Sequence, residues 1–176
     1  SDVCSSDLNN HGGVAAVAVA GVGLARLDIG AKPSTFELLC VRVVSGSSSM
    51  VVAVIHRPGS AAVTPAFFVE LADVLDRLVT LAEPVQLVGD VNIHIERPAE
   101  HATGELTDVL TAHGLIACVS GMTHDCGIHW MSSLVVMICR CRASRRRARC
   151  RPVRPPAAMD GVVVSVAANL YVRSTG

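Results

Sequence analysis

The residues of this chain that are best suited to chemistry are Asp90 and Asn92, which follow the apolar run 85–88 and Gly89. Side chains alternate along a strand with a period of two, so the carboxylate and the carboxamide are expected on the same side of the strand's C-terminal end. Open α/β sheets bind ligands at that end. Together the two groups can orient a water molecule and stabilise developing charge, as phosphoryl chemistry requires. The sequence Gly-Asp-x-Asn is also typical of an ordinary turn, which is what the motif alone favours.

Three β-favouring regions precede this segment in the chain. The region 12–27 is rich in Val and bounded by Gly, which predicts one or two strands with a turn near 21–23. The runs FELLCVRV at 36–43 and MVVAVIH at 50–56 are separated by the turn-forming residues 46–49. These two runs are predicted to form an antiparallel hairpin.

A helix is predicted to begin at Thr64-Pro65, where an N-cap residue precedes a first-turn proline and apolar residues follow at helical spacing. The run 85–88 is then predicted to be a buried central strand reached by a crossover helix. A second helix is predicted over 103–113 and a further strand over 115–119. The order β-β-β-α-β-α-β predicts an α/β (α+β) fold with mixed layers.

The composition predicts one packed domain with atypical segments at its ends. A length of 176 residues corresponds to about one domain, and 51% hydrophobic with 17% charged residues excludes disorder for most of the chain. Fifteen basic and fifteen acidic residues balance, yet eight arginines lie within 140–154. We expect residues 1–8 to be adapter-like or disordered and outside the fold, 9–138 to form the domain, 139–157 to be an irregular Arg/Pro-rich segment, and 158–176 to supply a closing strand.

The apolar and cysteine content argues against a membrane protein and against an exported one. The longest apolar stretch near the start, 14–25, has twelve residues, whereas a membrane-spanning helix needs about 20. The first basic residue, Arg26, follows that stretch, whereas a signal peptide carries its basic residues first. Seven cysteines, an odd number, are expected to be reduced thiols. We therefore expect no membrane partner and an intracellular location, cytoplasmic or nuclear, without secretion.

Four short segments follow one another in an order and spacing that a known family shares. They are HGGVA at 11–15, VIHRP at 54–58, LVGDVNIH at 87–94 and VSGMTH at 119–124. In these segments the chain resembles the endonuclease/exonuclease/phosphatase family and, within it, the endonuclease domains of non-LTR retrotransposons. Gly-Asp-x-Asn after a crossover helix is the most specific of the four elements.

The resemblance implies a two-sheet sandwich flanked by helices, with a divalent-metal phosphodiesterase site at one edge. By that resemblance Asp90 aligns or activates the attacking water, and Asn92 helps to hold the phosphate or the nucleophile. His56 stands where the family has a tyrosine hydroxyl near the phosphate, and its imidazole can also donate a hydrogen bond. The implied cofactor is Mg²⁺ or Mn²⁺, with Asp90 and Asp160 as metal residues, and the implied partner is DNA.

The chain departs from the family pattern at several catalytic positions. The family's metal-binding Asn and Glu lie upstream of Gly12 in a segment that has no counterpart here, so the fold is expected to be incomplete at the N-terminus. The residues GIHWMSSL at 127–134 lack the Asp that orients the family's catalytic histidine. The stretch 158–165 is similar to the closing Ser-Asp-His strand, which gives Asp160 a metal-proximal role and puts Gly161 where the general acid/base histidine belongs. We therefore expect weak or absent metal binding and impaired catalysis.

Two functions stay open on the sequence, and with them the question of whether the chain is an active enzyme. One is a Mg²⁺-dependent phosphodiesterase, the DNA endonuclease domain of a retrotransposon. The alternative is a non-catalytic fragment that binds nucleic acid weakly and without sequence preference through 140–154, because clustered guanidinium groups replace condensed counterions. No aromatic residue lies between those arginines to stack on bases, which favours a solvated tail or an out-of-frame translation for that segment. No obligate protein partner is expected.

Overall fold

The computed structural model describes residues 3–6, 13–18, 20–94, 97, 99–115 and 162–167. Its strands are β1 (Val3–Ser6), β2 (Gly13–Ala18), β3 (Gly23–Arg26), β4 (Glu37–Ser45), β5 (Ser48–His56), β6 (Val85–Asp90) and β7 (Val162–Ala167). Its helices are α1 (Pro65–Val79) and α2 (His101–Ala112). Helices and a mixed sheet therefore combine in an α+β arrangement, as the sequence predicts.

The larger sheet has the strand order β3-β4-β5-β6. The first two pairings are antiparallel, and β6 pairs with β5 in parallel. The predicted hairpin between β4 and β5 is confirmed. Ser45 pairs with Ser48, so the turn consists of Gly46 and Ser47 alone, with Gly46 at a φ of 57°. Each strand is longer than its apolar run because backbone pairing continues into these serines.

Helix α1 is the crossover that allows β5 and β6 to run in parallel. It begins at Pro65, after the extended residue Thr64, whose carbonyl oxygen accepts a 3.0 Å hydrogen bond from the N–H of Phe67. The buried residues of α1 are Phe67, Phe68, Leu71, Val74, Leu75 and Leu78. This face packs on one side of the larger sheet, against Ala53 and Ile55 among others, and forms the main core. The predicted helix and its buried face are confirmed.

Helix α2 begins two residues earlier than the sequence predicts, at His101 rather than at Thr103. The carbonyl oxygen of Glu100 accepts hydrogen bonds from the N–H groups of Thr103 and Gly104, at 3.1 and 3.2 Å. These bonds form the first turn ahead of the apolar residues that the prediction relied on. Within the residues described, neither helix is long and apolar enough to cross a membrane.

A second sheet has the order β1-β2-β7, with β2 paired antiparallel to both neighbours. Val14 and Ala16 of β2 pack in a cluster with residues of β4 and β5 such as Leu39 and Val54. That cluster lies on the face of the larger sheet opposite α1, because neighbouring residues of a strand point to opposite faces.

The ends of the chain differ in part from expectation. Residues 3–6 form β1, although 1–8 were expected to lie outside the fold. Pairing at a sheet edge uses backbone groups and needs no apolar periodicity, so this strand leaves no sequence pattern. β7 falls within 158–176, where a closing strand is predicted. Of the strand predicted over 115–119, residues 116–119 lie outside the described residues. The whole of the segment 139–157 also lies outside them.

Candidate functional site

Three polar residues form a row across one end of the larger sheet. Glu37 of β4 pairs with His56 of β5, and His56 pairs in turn with Asp90 of β6. All three are buried, with exposed fractions of 4%, 5% and 4%. His56 and Asp90 are the last residues of two parallel strands, so they lie at the C-terminal edge where α/β sheets bind ligands. The structure thus brings together two of the residues that the sequence singled out.

The row lies on the face of the sheet that is turned toward β2. Side chains two positions apart in a strand point to the same face. Leu39 and Val54, which lie two residues from Glu37 and His56, pack in one cluster with Val14 of β2. The row therefore lies on the face of the larger sheet opposite α1, the same face as the cluster that includes Val14.

Glu37 belongs to this site although sequence reasoning missed it. Its Oε1 is 3.9 Å from Nδ1 of His56, which is too far for a hydrogen bond. Within the described part of the chain, Oε2 of Glu37 and Nδ1 of His56 have no hydrogen-bond partner. Leaving a buried polar atom unpaired costs about 1–3 kcal/mol, and such exceptions are concentrated at functional sites. The sequence signal that could have identified Glu37 is its spacing of two and four residues from the apolar Leu39 and Val41, which places all three on the same buried face of one strand.

Asp90 is held in a buried position by the turn that follows it. Its Oδ1 accepts a 2.8 Å hydrogen bond from the N–H of Asn92. Burial raises the pKa of Asp90, and the Asn92 hydrogen bond and the nearby His56 and Arg57 partly offset that rise. A carboxyl group with a raised pKa is a stronger proton acceptor than an ordinary surface aspartate.

Asn92 lies in a turn beyond the strand rather than on the strand with Asp90. β6 ends at Asp90, and Asn92 has a φ of 51°, in the left-handed region. Its side-chain Nδ2 donates a 2.7 Å hydrogen bond to the carbonyl oxygen of Arg57. The sequence predicts that period-two alternation along one strand brings Asp90 and Asn92 together, and this prediction is wrong because the strand ends at Asp90. A turn closed by the Asp90 carboxylate does so instead.

Arg57 lies beneath this turn and is only 3% exposed. Its Nε donates to the carbonyl oxygen of Val91 at 2.6 Å, and its Nη2 donates to that of Asn92 at 2.7 Å. Burial lowers the pKa of the Arg57 guanidinium, and the nearby Asp90 partly offsets the effect. The sequence marked Arg57 only as a member of the segment VIHRP, without a role of its own.

The described residues alone do not form a binding site for the divalent metal ion that the resemblance implies. Mg²⁺ requires octahedral oxygen coordination, and one oxygen of Asp90 already accepts a hydrogen bond from Asn92. In the part of the chain that the structure describes, no group of three or more His, Cys, Asp or Glu side chains is arranged to hold a metal ion. Asp160, the second implied metal residue, lies outside the described residues, as do Gly161 and the segments 119–124 and 127–134.

The described geometry offers two chemical groups beside each other at a sheet edge. The Asp90 carboxylate can accept a proton from water or align it, and the His56 imidazole can donate a hydrogen bond to an anionic oxygen. Within the described residues, the Asn92 side chain keeps its carbonyl oxygen and one of its two amide hydrogens after bonding to Arg57. The chain matches no protein-family model, and neither the curated proteins nor the solved structures contain a match to it.

Proposed function

We propose that this chain carries a phosphodiesterase site of the DNA endonuclease type, centred on Asp90, with His56 beside it and Asn92 in the following turn. The observation that carries the proposal is the register of His56 opposite Asp90 at the C-terminal ends of two parallel strands. We further propose that the two described sheets are the layers of a sandwich flanked by helices, which places the row of polar residues between them.

The groups have complementary roles in this proposal. Asp90 orients the attacking water, because its carboxylate is buried and its raised pKa favours proton acceptance. His56 donates a hydrogen bond to a non-bridging phosphate oxygen, at the position where the endonuclease/exonuclease/phosphatase family, which the chain resembles, has a tyrosine hydroxyl. Asn92 uses its remaining amide hydrogen in the same way. The substrate is DNA, read through its backbone.

Turnover by this chain is proposed to be at background level. Hydrolysis of a phosphodiester requires an aligned water, neutralised charge at the phosphate and a stabilised leaving oxygen. Gly161 occupies the place of the family's general acid/base histidine, and a glycine has no side chain that can transfer a proton. Loss of general acid/base help alone reduces a rate by about 10²–10⁴-fold.

DNA binding in EDTA at pH 8 tests the site independently of turnover. If a phosphate lies beside Asp90, Asp90→Asn removes a repulsive charge and is expected to tighten binding of a short fluorescein-labelled duplex about threefold to tenfold. Asp73→Asn makes the same charge change on the exposed face of α1 and is expected to leave the affinity unchanged. Fluorescence anisotropy measures both.

Two outcomes separate the open functions. One outcome is that Asp90→Asn and Asp73→Asn bind the DNA duplex with equal affinity, and that binding is lost only when Arg145, Arg146 and Arg147 become serine. This outcome would contradict the proposed site and favour the non-catalytic fragment. In a parallel assay with Mg²⁺ or Mn²⁺, the full chain is expected to nick supercoiled plasmid no faster than background. Nicking that Asp90→Ala abolishes would contradict the low turnover and establish an active enzyme.

A further inference from the structure

Arg57 and the segment 90–92 bind each other through reciprocal hydrogen bonds. The backbone N–H of Arg57 donates to the carbonyl oxygen of Asp90 at 2.8 Å. The guanidinium donates to the carbonyl oxygens of the next two residues, Val91 and Asn92, and the Asn92 carboxamide donates back to the carbonyl oxygen of Arg57. Consecutive carbonyl groups of one turn are therefore held by a single residue, Arg57, which directly follows β5.

The environment of Arg57 is unusual for a charged side chain. Within the described residues, its guanidinium donates to backbone carbonyls, including those of Pro58 and Ala61. The guanidinium carbon lies 5.9 Å from the ring centroid of Phe67, a cation–π distance. Burying a charge is costly unless its donors are satisfied, and these backbone carbonyls satisfy donors of the Arg57 guanidinium.

The turn held in this way is the one that shapes the candidate site. Asn92 adopts a left-handed φ of 51°, and its N–H donates to the Asp90 carboxylate. An asparagine pays a conformational cost for this region that outside contacts must offset. The two guanidinium bonds on the carbonyls of Val91 and Asn92 are contacts of that kind.

We infer that Arg57 is a positioning residue of the candidate site, whose guanidinium fixes the 90–92 turn and thereby keeps the Asp90 carboxylate beside His56. This role rests on the proposed function, since it is the phosphodiesterase site that the turn would serve. A lysine cannot replace Arg57, because an ammonium group lacks the planar fork that reaches two carbonyls at once.

Amide hydrogen exchange, followed by NMR on the full chain without DNA, tests the inference. In the unmodified chain the Asn92 amide is expected to be protected to a degree similar to amides of the central strand β5, such as that of Val54. In Arg57→Gln the Asn92 amide is expected to exchange about tenfold faster or more, relative to Val54, because its turn is released. Arg57→Lys is expected to give a smaller increase.

Arg42→Gln is the matched control, because Arg42 pairs with Glu83 at the surface and does not touch the turn. It is expected to leave the ratio of Asn92 to Val54 exchange unchanged. The inference is overturned if Arg57→Gln accelerates all amides equally, which would indicate general stabilisation only, or leaves the ratio unchanged. If Arg57→Gln does not fold, two other results overturn the inference. One is an unprotected Asn92 amide in the unmodified chain, and the other is an unchanged ratio of Asn92 to Val54 exchange in Arg57→Lys. Because no DNA is present, failure of the DNA-binding test leaves this result intact.

Discussion

Gly89 lies directly against the carbonyl oxygen of Ile55, so close that a Cβ at position 89 would be 1.8 Å from that oxygen. Its φ of 138° also belongs to a region that residues with a side chain rarely adopt. This close approach occurs one residue before the point where His56 faces Asp90. A side chain at position 89 would therefore collide with β5 one residue before the candidate pair.

The substitution Gly89→Ala is expected to reduce the unfolding free energy by about 3 kcal/mol or more, because both the contact and the backbone conformation become unfavourable. Urea denaturation followed by circular dichroism measures the loss. Gly104→Ala is the control, since Gly104 lies in α2 with open space around it. This variant is expected to increase the unfolding free energy by about 0.5–1 kcal/mol. Similar effects at both positions would contradict the importance of the Gly89 contact.

Replacing Glu37 by glutamine is expected to increase the unfolding free energy by about 1 kcal/mol, because the buried carboxylate has an oxygen without a partner in the described structure. Thermal denaturation at pH 7 provides the measurement. Glu83→Gln, which weakens a half-exposed ion pair with Arg42, is expected to cause a small loss instead. A clear loss of stability in Glu37→Gln would indicate that the carboxylate has a partner that stabilises it.

Gly59 makes room for the Asn92 side chain, and a Cβ there would lie 2.9 Å from its Oδ1. Gly59→Ala is expected to displace the carboxamide and to cost about 1–2 kcal/mol through the lost hydrogen bond to Arg57. In the Asn92→Ala background the same substitution is expected to cost much less. A double-mutant cycle in urea measures this coupling, and additive effects would contradict the contact.

Glu70 on α1 anchors the preceding loop through four hydrogen bonds from Ser34 and Thr35, with lengths from 2.6 to 3.0 Å. Burial opposes ionisation of the carboxyl, but these bonds outweigh it and lower the pKa of Glu70 from 4.5 to about 2. A carboxyl whose pKa is lower in the folded state stabilises the fold above its unfolded-state pKa. That contribution is lost as the pH falls toward the folded value.

Glu70→Gln is therefore expected to cost about 1 kcal/mol at pH 7, a figure reduced for the solvent exposure of the carboxylate. The difference from the unmodified chain should shrink as the pH falls from about 4.5 to about 2. Urea denaturation across this range measures it. Asp73→Asn on the same helix removes only an exposed pair with Arg77 and is expected to cost less than about 0.5 kcal/mol. A pH-independent loss in Glu70→Gln would contradict the assigned cause.

The sequence by itself determined the local elements that lead to the candidate site. The hairpin of β4 and β5 follows from two β-branched runs around a Gly-Ser turn, and α1 follows from a proline start and helical spacing of apolar residues. These signals are local, since turn chemistry and periodicity act within a few residues. The parallel pairing of β6 with β5 also follows, because a crossover helix favours it. In the described sheet, however, β6 is the last strand and not the central strand that the sequence predicts.

Only the tertiary structure decided the register in which the polar groups meet and added Glu37 to them. Glu37 reaches His56 through the register of one strand pair, and His56 reaches Asp90 through the register of another. Two acceptors of the Arg57 guanidinium, the carbonyl oxygens of Val91 and Asn92, lie 34 and 35 positions away along the chain. The turn conformation of Asn92 likewise depends on those bonds. Pairing register and buried hydrogen bonds arise from packing between distant segments, and no pattern within a single segment encodes them.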